Sequence, residues 1–473
     1  MAELSERPMT PLPYQKIAVL VMVFLGDSLC MSVVLPFVPF MVKTYLGLPP
    51  DQDYLVGYYA GAVAGAYIAG QLCTAPLWGA LSDRVGRRPV MLACLFLSAA
   101  CLLAFGAAPD LRFALVARFA HGLCSGNVVV AKSMMADLTD ETNEADAFVY
   151  VGATFGAGAM LGPLIGGALC EPATKYAGLP LMALWAERPY LLPCAVVAAV
   201  TLLDLAAAAV LLEESKPETP DAPADGVSDA AADAGVRELL RDPGSPFRAV
   251  CASFVLFGLC FMAFQEVFPV FGRAPVAEGG LGLDSTSVGV LQAAAGAATL
   301  AGVVAVYPPL ARRVGVPGAY ACALLTCAAA AYPAPPLLAY ASAGDTPWLA
   351  LAAANGAVSL ATEVSFTSLN LMLKRSAPPN LVGAAIGAGS SLGMLGLAFG
   401  PVFGGSLFAA SSDPAARLPP ALAQGRLFFL AISLVALANA GLVANLPSWP
   451  AEPGAVWRRA GGGYAKVDAN DAA

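Results

Sequence analysis

The stretch GPLIGGALC, residues 162–170, returns nearly unchanged as GPVFGGSLF at residues 400–408. A proline inside a helix removes one backbone hydrogen bond and bends the helix, whereas glycines let a neighbouring helix approach closely. A second pair of motifs has almost the same spacing, since LSDRVG begins at Leu81 and LARRVG begins at Leu310. Two unrelated motifs that recur at nearly one offset predict that the chain contains two copies of one structural unit.

The composition places both copies in a membrane. Apolar residues make up 58% of the chain and charged residues 12%, whereas soluble domains average ~45–50% and ~25%. A helix needs about 20 mostly apolar residues to cross the ~30 Å hydrocarbon core of a bilayer. Segments of that kind lie at residues 17–42, 54–78, 89–107, 111–136, 147–169, 190–212, 247–271, 287–310, 316–339, 348–373, 382–409 and 425–446. We therefore predict an all-α integral membrane protein with twelve transmembrane helices arranged as two six-helix pseudo-repeats.

The spans divide the chain into five parts. We predict a tail at residues 1–16, a six-helix bundle at 17–212, a linker at 213–246, a second bundle at 247–446 and a tail at 447–473. The linker is acidic and rich in proline and alanine, which is typical of a solvated, disordered segment. Sixteen Lys and Arg residues fall on the side of both termini and seven on the other. The positive-inside rule then places both termini and the linker in the cytoplasm, at either the cell surface or a vacuole-type membrane.

The segment after the second predicted helix, GALSDRVGRRPVML at residues 79–92, combines glycines, an acid and several arginines. Gly79 permits close approach at a helix end, Gly86 permits a positive φ, and Asp83 can accept from backbone N–H groups at a helix N-terminus. One interpretation is an ordinary charged anchor for the topology. The other is a conformational latch, whose residues are Gly79, Asp83, Arg84, Gly86, Arg87 and Arg88.

The two Gly-Pro motifs also have two interpretations. They lie in the fifth predicted helix of each half, where their small residues favour tight packing and their prolines favour a kink. A kinked, small-faced helix at matching positions is also what gating between two moving halves requires. The residues concerned are Gly162, Pro163, Gly166, Gly167, Gly400, Pro401, Gly404 and Gly405.

Several of these motifs resemble those of a known family. Residues 79–92 resemble the cytoplasmic signature of the major facilitator superfamily, and residues 152–167 resemble the fifth-helix motif of its drug:proton antiporter group. RFAHGLCSG from Arg118 is similar to that group's fourth-helix motif. Shorter stretches resemble the zinc-induced facilitator-like branch; they begin at Gly57, Arg188, Tyr307 and Ser376. The resemblance implies the major facilitator fold and transport by alternating access. The second copy of the loop departs from the signature, because Arg312 stands where the first copy has Asp83.

Charged residues inside predicted spans are candidates for a transport site, because a charge in the bilayer is costly unless it faces a cavity or a partner. Asp27 stands alone in the first helix and is either a proton carrier or a carboxyl that hydrogen-bonds a neighbouring helix. On a continuous fourth helix, Arg118, His121, Ser125 and Lys132 share one face. We expect Asp27, Arg118 and His121 to serve proton coupling, although a lone histidine is more often a packing residue.

A second polar face is predicted in the tenth helix, and the seventh helix adds a buried acid. With Ser125 and Lys132, these residues form the predicted substrate cavity; they are Gln265, Glu266, Ser359, Glu363, Thr367 and Asn370. Asp204 in the sixth helix is interpreted as a packing acid. One cycle follows from this picture: protonation of Asp27 releases its attraction to Arg118 while the loop at residues 79–88 latches the cytoplasmic side.

The sequence argues against several other classes. The single histidine and eleven scattered cysteines, which we interpret as buried apolar residues, give no zinc site, so a metal would travel as a chelate. No phosphate-binding loop or catalytic constellation appears, so we expect neither an enzyme nor a cofactor. The predicted function is proton-coupled antiport of a small organic solute or metal chelator; the alternatives are a facilitator or proton symporter, and a sensor that does not transport. The expected partners are a small-molecule substrate, protons and the lipid bilayer, with no nucleic acid, for a monomeric protein.

Overall fold

A computed structural model of the chain describes residues 11–139, 143–176, 178, 180–215, 229–242, 245–341, 348–377, 381–444, 455–460 and 463–468. The helices of the first part are α1 (Tyr14–Ser32), α2 (Val38–Leu46), α3 (Val56–Val85), α4 (Arg87–Gly106), α5 (Leu111–Cys124), α6 (Asn127–Asp137), α7 (Glu144–Leu169), α8 (Pro172–Lys175), α9 (Met182–Glu187) and α10 (Leu191–Leu211). Those that follow are α11 (Asp229–Arg241), α12 (Pro246–Arg273), α13 (Ser285–Ala305), α14 (Tyr307–Thr326), α15 (Ala334–Ala341), α16 (Trp348–Arg375), α17 (Val382–Ser412) and α18 (Arg426–Ala444).

Each of the twelve predicted spans coincides with one of these helices or with a consecutive pair. Within the described ranges, nine helical segments are long and apolar enough to cross a membrane, and Ala153–Leu169 is a shorter apolar helix. The described membrane-spanning segments are therefore helical apart from short interruptions, as the composition predicts. The described part of the C-terminal tail adds one antiparallel hairpin, formed by β1 (Ala455–Ala460) and β2 (Gly463–Asp468), which the sequence did not predict.

Two predicted spans are interrupted near prolines. The first is divided into α1 and α2 by a turn at residues 33–37, where Pro36 lacks a backbone donor. The ninth passes through one π-helical turn, Cys327–Ala331, just before Pro333, and continues as α15. The predicted spans at 17–42 and 316–339 are therefore present but not continuous α-helices, since proline cannot complete the helical hydrogen-bond pattern.

The fourth predicted span is present as Leu111–Asp137, but Ser125 and Gly126 interrupt it and divide it into α5 and α6. A Cβ atom on Gly126 would lie 2.5 Å from Cγ of Trp78, so the backbone here passes closer to α3 than any larger residue allows. The Leu123 carbonyl accepts hydrogen bonds from Thr74 Oγ1 at 2.9 Å and Trp78 Nε1 at 2.8 Å. Side chains from α3 therefore satisfy backbone polar groups at the break, as a bilayer interior requires.

The described chain forms two compact units. The first comprises Met1–Glu218 and Glu266–Leu300, and the second comprises Thr219–Gln265 and Ala301–Ala473. The segment Glu266–Leu300, which belongs to the second half in sequence, lies with the first unit because glycines on α7 let α13 approach. A Cβ atom on Gly296 would lie 2.5 Å from the backbone nitrogen of Met160, and one on Gly156 would lie 2.6 Å from Leu300 Cδ2.

The cores of the two units repeat one another. The first core takes its buried residues from α1, α4, α6, α7 and α10, and includes Phe24, Met91 and Met134. The second takes them from α11, α12, α14, α16, α17 and α18, and includes Phe254, Tyr320 and Met372. Apart from α11, these are the first, third, fourth, fifth and sixth spans of each half. The same set of helices therefore supplies the core twice.

Both Gly-Pro motifs form packing seams against the first span of their own half. In the first unit, Cβ atoms on Gly162 and Gly166 would meet Ser32 and the backbone of Val33 in the segment after α1. In the second unit, a Cβ atom on Gly400 would lie 2.8 Å from Met262 Cβ, and one on Gly404 would lie 2.8 Å from Ala263 Cβ. Gly167 faces Ser285 of α13, and Gly405 is buried. Both α7 and α17 continue through their prolines, Pro163 and Pro401.

The linker differs from the prediction of a disordered segment. Residues 229–241 form α11, whose apolar residues Val236, Leu239 and Leu240 pack on the core of the second unit. A Cβ atom on Gly235 would lie 2.6 Å from Leu381 Cδ1, which shows how closely α11 packs there. The acidic stretch 216–228 lies outside the described residues. Val236, Leu239 and Leu240 stand at i, i+3 and i+4, so they share one face of α11, which explains how this helix packs on the core.

Candidate functional site

The carboxyl group of Asp27 lies inside the first unit, with 8% of the residue exposed. The Ser125 hydroxyl, at the break between α5 and α6, donates a hydrogen bond to Asp27 Oδ1 at 3.4 Å. The positive charge of Lys132 on α6 acts on the carboxyl group, and Asn127 is a further hydrogen-bonding neighbour. Asp204 on α10 lies against the neighbouring backbone, because a Cβ atom on Gly26 would contact its Oδ2 atom. The Asp27 carboxylate therefore interacts with hydrogen-bonding and charged neighbours.

Arg118 is a second buried charge of the same unit, with 2% exposed. Its Cζ atom lies 4.5 Å from the centre of the Tyr67 ring and 5.5 Å from that of Phe105, which are cation–π distances. Its Nη1 atom lies 3.4 Å from His121 Nδ1. Because a guanidinium only donates, His121 accepts here and does not act as a second cation. The acid whose charge acts on Arg118 is Glu266 of α12.

The predicted attraction between Asp27 and Arg118 is not among the ion pairs of the described residues. The break at Ser125 accounts for this, because it ends the single face on which Arg118, Ser125 and Lys132 were placed. Arg118 and His121 belong to α5, whereas Lys132 belongs to α6. Neither Asp27 with Lys132 nor Arg118 with Glu266 is an ion pair among the described residues either; the charge of Lys132 acts on Asp27 and that of Glu266 on Arg118 without direct contact.

Sequence reasoning missed Tyr67, which lies between these two groups. Its hydroxyl is 3.0 Å from Ser125 Oγ, and its ring contacts both Arg118 and, edge-on at 5.1 Å, His121. Gln71, one turn further along α3, donates to Ser125 Oγ at 3.4 Å. Spacing gives a signal for this pair, since residues 67 and 71 lie one helical turn apart and form a polar strip on an apolar helix.

The remaining residues of the predicted cavity belong to the second unit, except Glu266. Glu363, Ser359, Thr367 and Asn370 are all half-buried on α16, and Asn370 Nδ2 donates to the Phe366 carbonyl at 2.8 Å. Gln265 is half-buried and ends the α12 segment of this unit. The predicted polar strip of the tenth helix therefore exists as a half-buried strip on α16.

The signature segment is a helix end, a turn and a helix start rather than a loop. α3 continues to Val85, Gly86 alone makes the turn with φ of 117°, and α4 begins at Arg87. Only a glycine adopts that conformation readily, so the turn depends on Gly86. Gly79 is half-buried on α3, and Arg84 is exposed near its end.

The acid at the N-terminus of α4 is Glu214, not Asp83. The backbone N–H groups of Arg87 and Arg88 donate to Glu214 at 2.8 Å and 3.2 Å, an arrangement that the helix dipole favours. Asp83 instead contacts the Arg87 guanidinium, whose Nε atom also donates to Asp137 at 3.2 Å. The sequence could not select Glu214, because it lies over 120 residues away and reads as the start of the linker.

Two further contacts hold this end of the first unit. The Arg88 side chain donates to the Ala209 carbonyl at 2.5 Å. The Ser215 hydroxyl donates to Asp137 Oδ2 at 3.0 Å. The start of the linker is therefore fixed against the predicted latch rather than leaving it freely.

Within the described ranges, no three His, Cys, Asp or Glu side chains are grouped as a metal site would require. Together, the apolar helices and the two similar cores define a multi-pass membrane protein, and the family match identifies its class as a membrane transporter of small solutes rather than an enzyme. The chain belongs to the Major Facilitator Superfamily, whose family model matches residues 20–401.

Relatives in plants and fungi share this fold family. The chain is 29% identical over 446 residues to the "probable peptide/nitrate transporter" of Arabidopsis thaliana, covering 90% of each chain. It is 25% identical to Protein ZINC INDUCED FACILITATOR-LIKE 1 of the same plant, covering 86% of this chain and 87% of the relative. A multidrug transporter of Aspergillus fumigatus, mfsB, is 29% identical over 44% of this chain and 34% of its own length. The predicted family resemblance is confirmed.

A solved structure shows the same fold. The human organic anion transporter MFSD10 matches with a TM-score of 0.62 at 22% identity, over 92% of this chain and 100% of the other.

Proposed function

We propose that this protein is a proton-coupled antiporter that exports a small organic solute or metal chelator by alternating access. The observation that carries the proposal is the placement of Asp27, a carboxyl buried in an apolar helix, with the Ser125 hydroxyl donating to it and the charge of Lys132 acting on it. Buried charges in membrane helices are retained mainly where a pathway or a proton relay needs them. The multidrug transporter among the relatives supports a small organic solute as the cargo.

The proposed cycle differs from the sequence-based one in the partner of Asp27. Ionised Asp27 is stabilised by the Ser125 hydroxyl and attracted by Lys132. Protonation removes that attraction and so changes the free energy of the contact between α1 and α6. Substrate binding and proton binding then alternate. The cavity that has released its proton favours substrate binding, and the cavity that has released its substrate favours proton binding. Arg118 and Glu266 are two further buried charged groups of the same unit, and the charge of Glu266 acts on Arg118.

The proposal includes the organisation expected from the sequence. The halves at residues 17–212 and 247–446 move as six-helix bundles. The Gly-Pro helices α7 and α17 gate that motion in addition to packing against the first span of their own half. Both termini and the linker are cytoplasmic, and the transporter works as a monomer. A tag at either terminus should react with an impermeant label only from the cytoplasmic side, and labelling from the other side would refute this orientation.

The test is substrate flux in proteoliposomes under an imposed pH gradient. The panel contains organic acids, metal chelators, metal–chelate complexes and lipophilic cations, and the proteins are wild type, Asp27→Asn and Asp204→Asn. Asp204 is the matched control, because it is a buried acid of the same unit on another helix. We expect the wild type and Asp204→Asn to accumulate substrate against its gradient, and Asp27→Asn to lose accumulation by about tenfold or more.

Each other outcome has a meaning. Equilibration without accumulation by the wild type indicates a facilitator, and accumulation in the direction of proton flow indicates a symporter. Full pH-driven exchange by Asp27→Asn would refute Asp27 as the proton site. Ligand binding without flux would identify a sensor that has kept the transporter fold.

A further inference from the structure

One buried aromatic residue contacts both charge groups of the first unit. Tyr67 is 2% exposed, and its hydroxyl lies 3.0 Å from Ser125 Oγ, which in turn donates to Asp27. The face of the same ring lies 4.5 Å from Arg118 Cζ. Tyr67 is therefore joined by its hydroxyl to the Asp27 group and by its ring to the Arg118 group.

The hydrogen bonds around Ser125 have a direction that Asp27 sets. An ionised carboxylate only accepts, so the single Ser125 proton points to Asp27. Ser125 Oγ then receives hydrogen bonds from Gln71 Nε2 at 3.4 Å and from the Tyr67 hydroxyl. A protonated Asp27 can itself donate to Ser125, which frees the serine to donate to Tyr67. Protonation of Asp27 thus reverses the hydrogen bond at Tyr67.

We propose that Tyr67 is a positioning residue that couples the protonation of Asp27 to the placement of Arg118. This inference rests on the proposed function, because it takes Asp27 as the proton site. The hydroxyl responds to Asp27 through Ser125, and the ring holds the guanidinium against a second aromatic face, that of Phe105. Such a chain of hydrogen bonds is cooperative, because each bond polarises the next in a low-dielectric interior.

Other charged and titratable groups also face this chain. They are Cys30 on α1, Arg118 and His121 on α5, Lys132 on α6, Cys194 and Asp204 on α10, and Glu266 on α12. A change at Tyr67 must therefore be separated from changes at these groups. The hydroxyl and the ring of Tyr67 offer that separation, because each can be removed without the other.

The experiment measures the pH profile of transport for matched variants. Tyr67→Phe keeps the ring but removes the hydroxyl, and we expect its pH midpoint to move towards alkaline pH by about half a unit, since the ionised carboxylate loses part of its hydrogen-bond support. Tyr67→Leu also removes the cation–π contact, so we expect its maximal rate to fall by about tenfold further. Ser125→Ala should move the midpoint in the same direction as Tyr67→Phe.

Tyr190→Phe is the control, because Tyr190 is a fully buried tyrosine of the same unit whose hydroxyl lies 3.1 Å from Thr44 Oγ1, away from Asp27. A Tyr67→Phe profile that matches Tyr190→Phe and wild type overturns the proposal. In an Asp27→Asn background, Tyr67→Phe should change nothing further, and a persisting shift also overturns it. A wild type whose flux ignores pH contradicts the proposed function instead, so the two failures are distinguishable. If Tyr67→Leu does not fold, the pH profiles of Tyr67→Phe and Ser125→Ala decide the proposal.

Discussion

Helix α3 has an acid–arginine pair at each end, and the two pairs differ in burial. Before the helix, Asp53 contacts Arg273 at 2.6 Å, with side-chain exposures of 1% and 6%. At the other end, Asp83 contacts Arg87, with exposures of 62% and 15%. Lys43 also contacts Asp53, at 2.9 Å, whereas Arg87 is shared with Asp137. Asp53 therefore contacts two cations, whereas at the opposite end of α3 Arg87 contacts two acids.

The comparison shows that burial decides whether a charge pair is a fixed contact or one that can break and reform. An exposed pair contributes about 0–1 kcal/mol, because water solvates both partners nearly as well. A buried pair gains little over apolar residues, yet removing one partner costs about 3–5 kcal/mol because the other charge stays buried. The pair at Asp53 therefore behaves as a fixed structural contact. The pair at Asp83 can break and reform during a transport cycle at low cost, as a latch requires.

The largest predicted effect is that of Asp53→Asn. It leaves the buried Arg273 without its acid, so we expect a loss of about 3–5 kcal/mol in stability. Thermal unfolding of the purified protein in detergent, followed by intrinsic fluorescence, measures this loss. The double variant Asp53→Asn, Arg273→Gln should recover part of it. A double variant as unstable as Asp53→Asn alone would show that the pair is not the cause.

The turn after α3 gives an intermediate effect. Gly86→Ala places a Cβ atom at φ of 117° and 2.5 Å from Glu214 Oε2, so we expect a loss of about 1–3 kcal/mol together with displacement of Glu214.

The matched variant for that turn is Gly315→Ala in the second copy of the motif. Gly315 has φ of 75°, and the nearest atom to its Cβ position is Pro317 Cδ at 4.0 Å. Gly315→Ala therefore introduces backbone strain but displaces no acid. Equal losses in both variants, measured by the same unfolding assay, would show that Glu214 adds nothing at the turn.

A smaller effect on stability is expected for Asp83→Asn, below about 1 kcal/mol, because the carboxyl group is mostly exposed. Transport should nevertheless slow by about fivefold if the contact with Arg87 is part of a latch. Arg312→Gln, at the corresponding position of the second copy, should leave the rate unchanged. If Asp83→Asn transports substrate as fast as the wild type, the latch interpretation is refuted.

The smallest effect concerns pH. Burial alone would raise the pKa of Asp53, but its contacts with Lys43 and Arg273 outweigh burial and hold the pKa below its ordinary value of 3.8. An acid with a lowered pKa contributes stability that is present above its unfolded pKa and lost as the pH falls through the folded one. The stability difference between wild type and Asp53→Asn should therefore stay constant from pH 8 to about pH 5. A difference that shrinks within that window would contradict the assignment.

Much of the fold could be read from periodicity and repetition. Twelve apolar segments locate the helices, and the offset between GPLIGG and GPVFGG predicts two seams that the structure forms from corresponding glycines. Three interruptions could not be placed in this way, because apolar composition does not distinguish a continuous helix from two shorter ones. α11 was missed for the converse reason, since its few apolar residues lie in an acidic, alanine-rich segment.

Sequence alone selects Asp27 and Arg118 as candidates but not the groups that contact them. Both stand out because a charge in an apolar helix is costly. The only sequence signal for Tyr67 is its spacing from Gln71, which is weak because a tyrosine in a membrane helix carries no charge.

The sequence by itself determined that this is a helical membrane transporter of the Major Facilitator Superfamily built from two related halves, since hydrophobic length, motif spacing and family signatures are local properties of a chain. Only the tertiary structure decided that Glu214 rather than Asp83 occupies the start of α4, that the Ser125 hydroxyl donates to Asp27, and that the Tyr67 ring lies against Arg118. These contacts join residues far apart in sequence. They depend on how a break at Ser125 and a turn at Gly86 direct the chain, and a hydrogen bond needs its two atoms within about 3.5 Å, so small changes in direction select the partner.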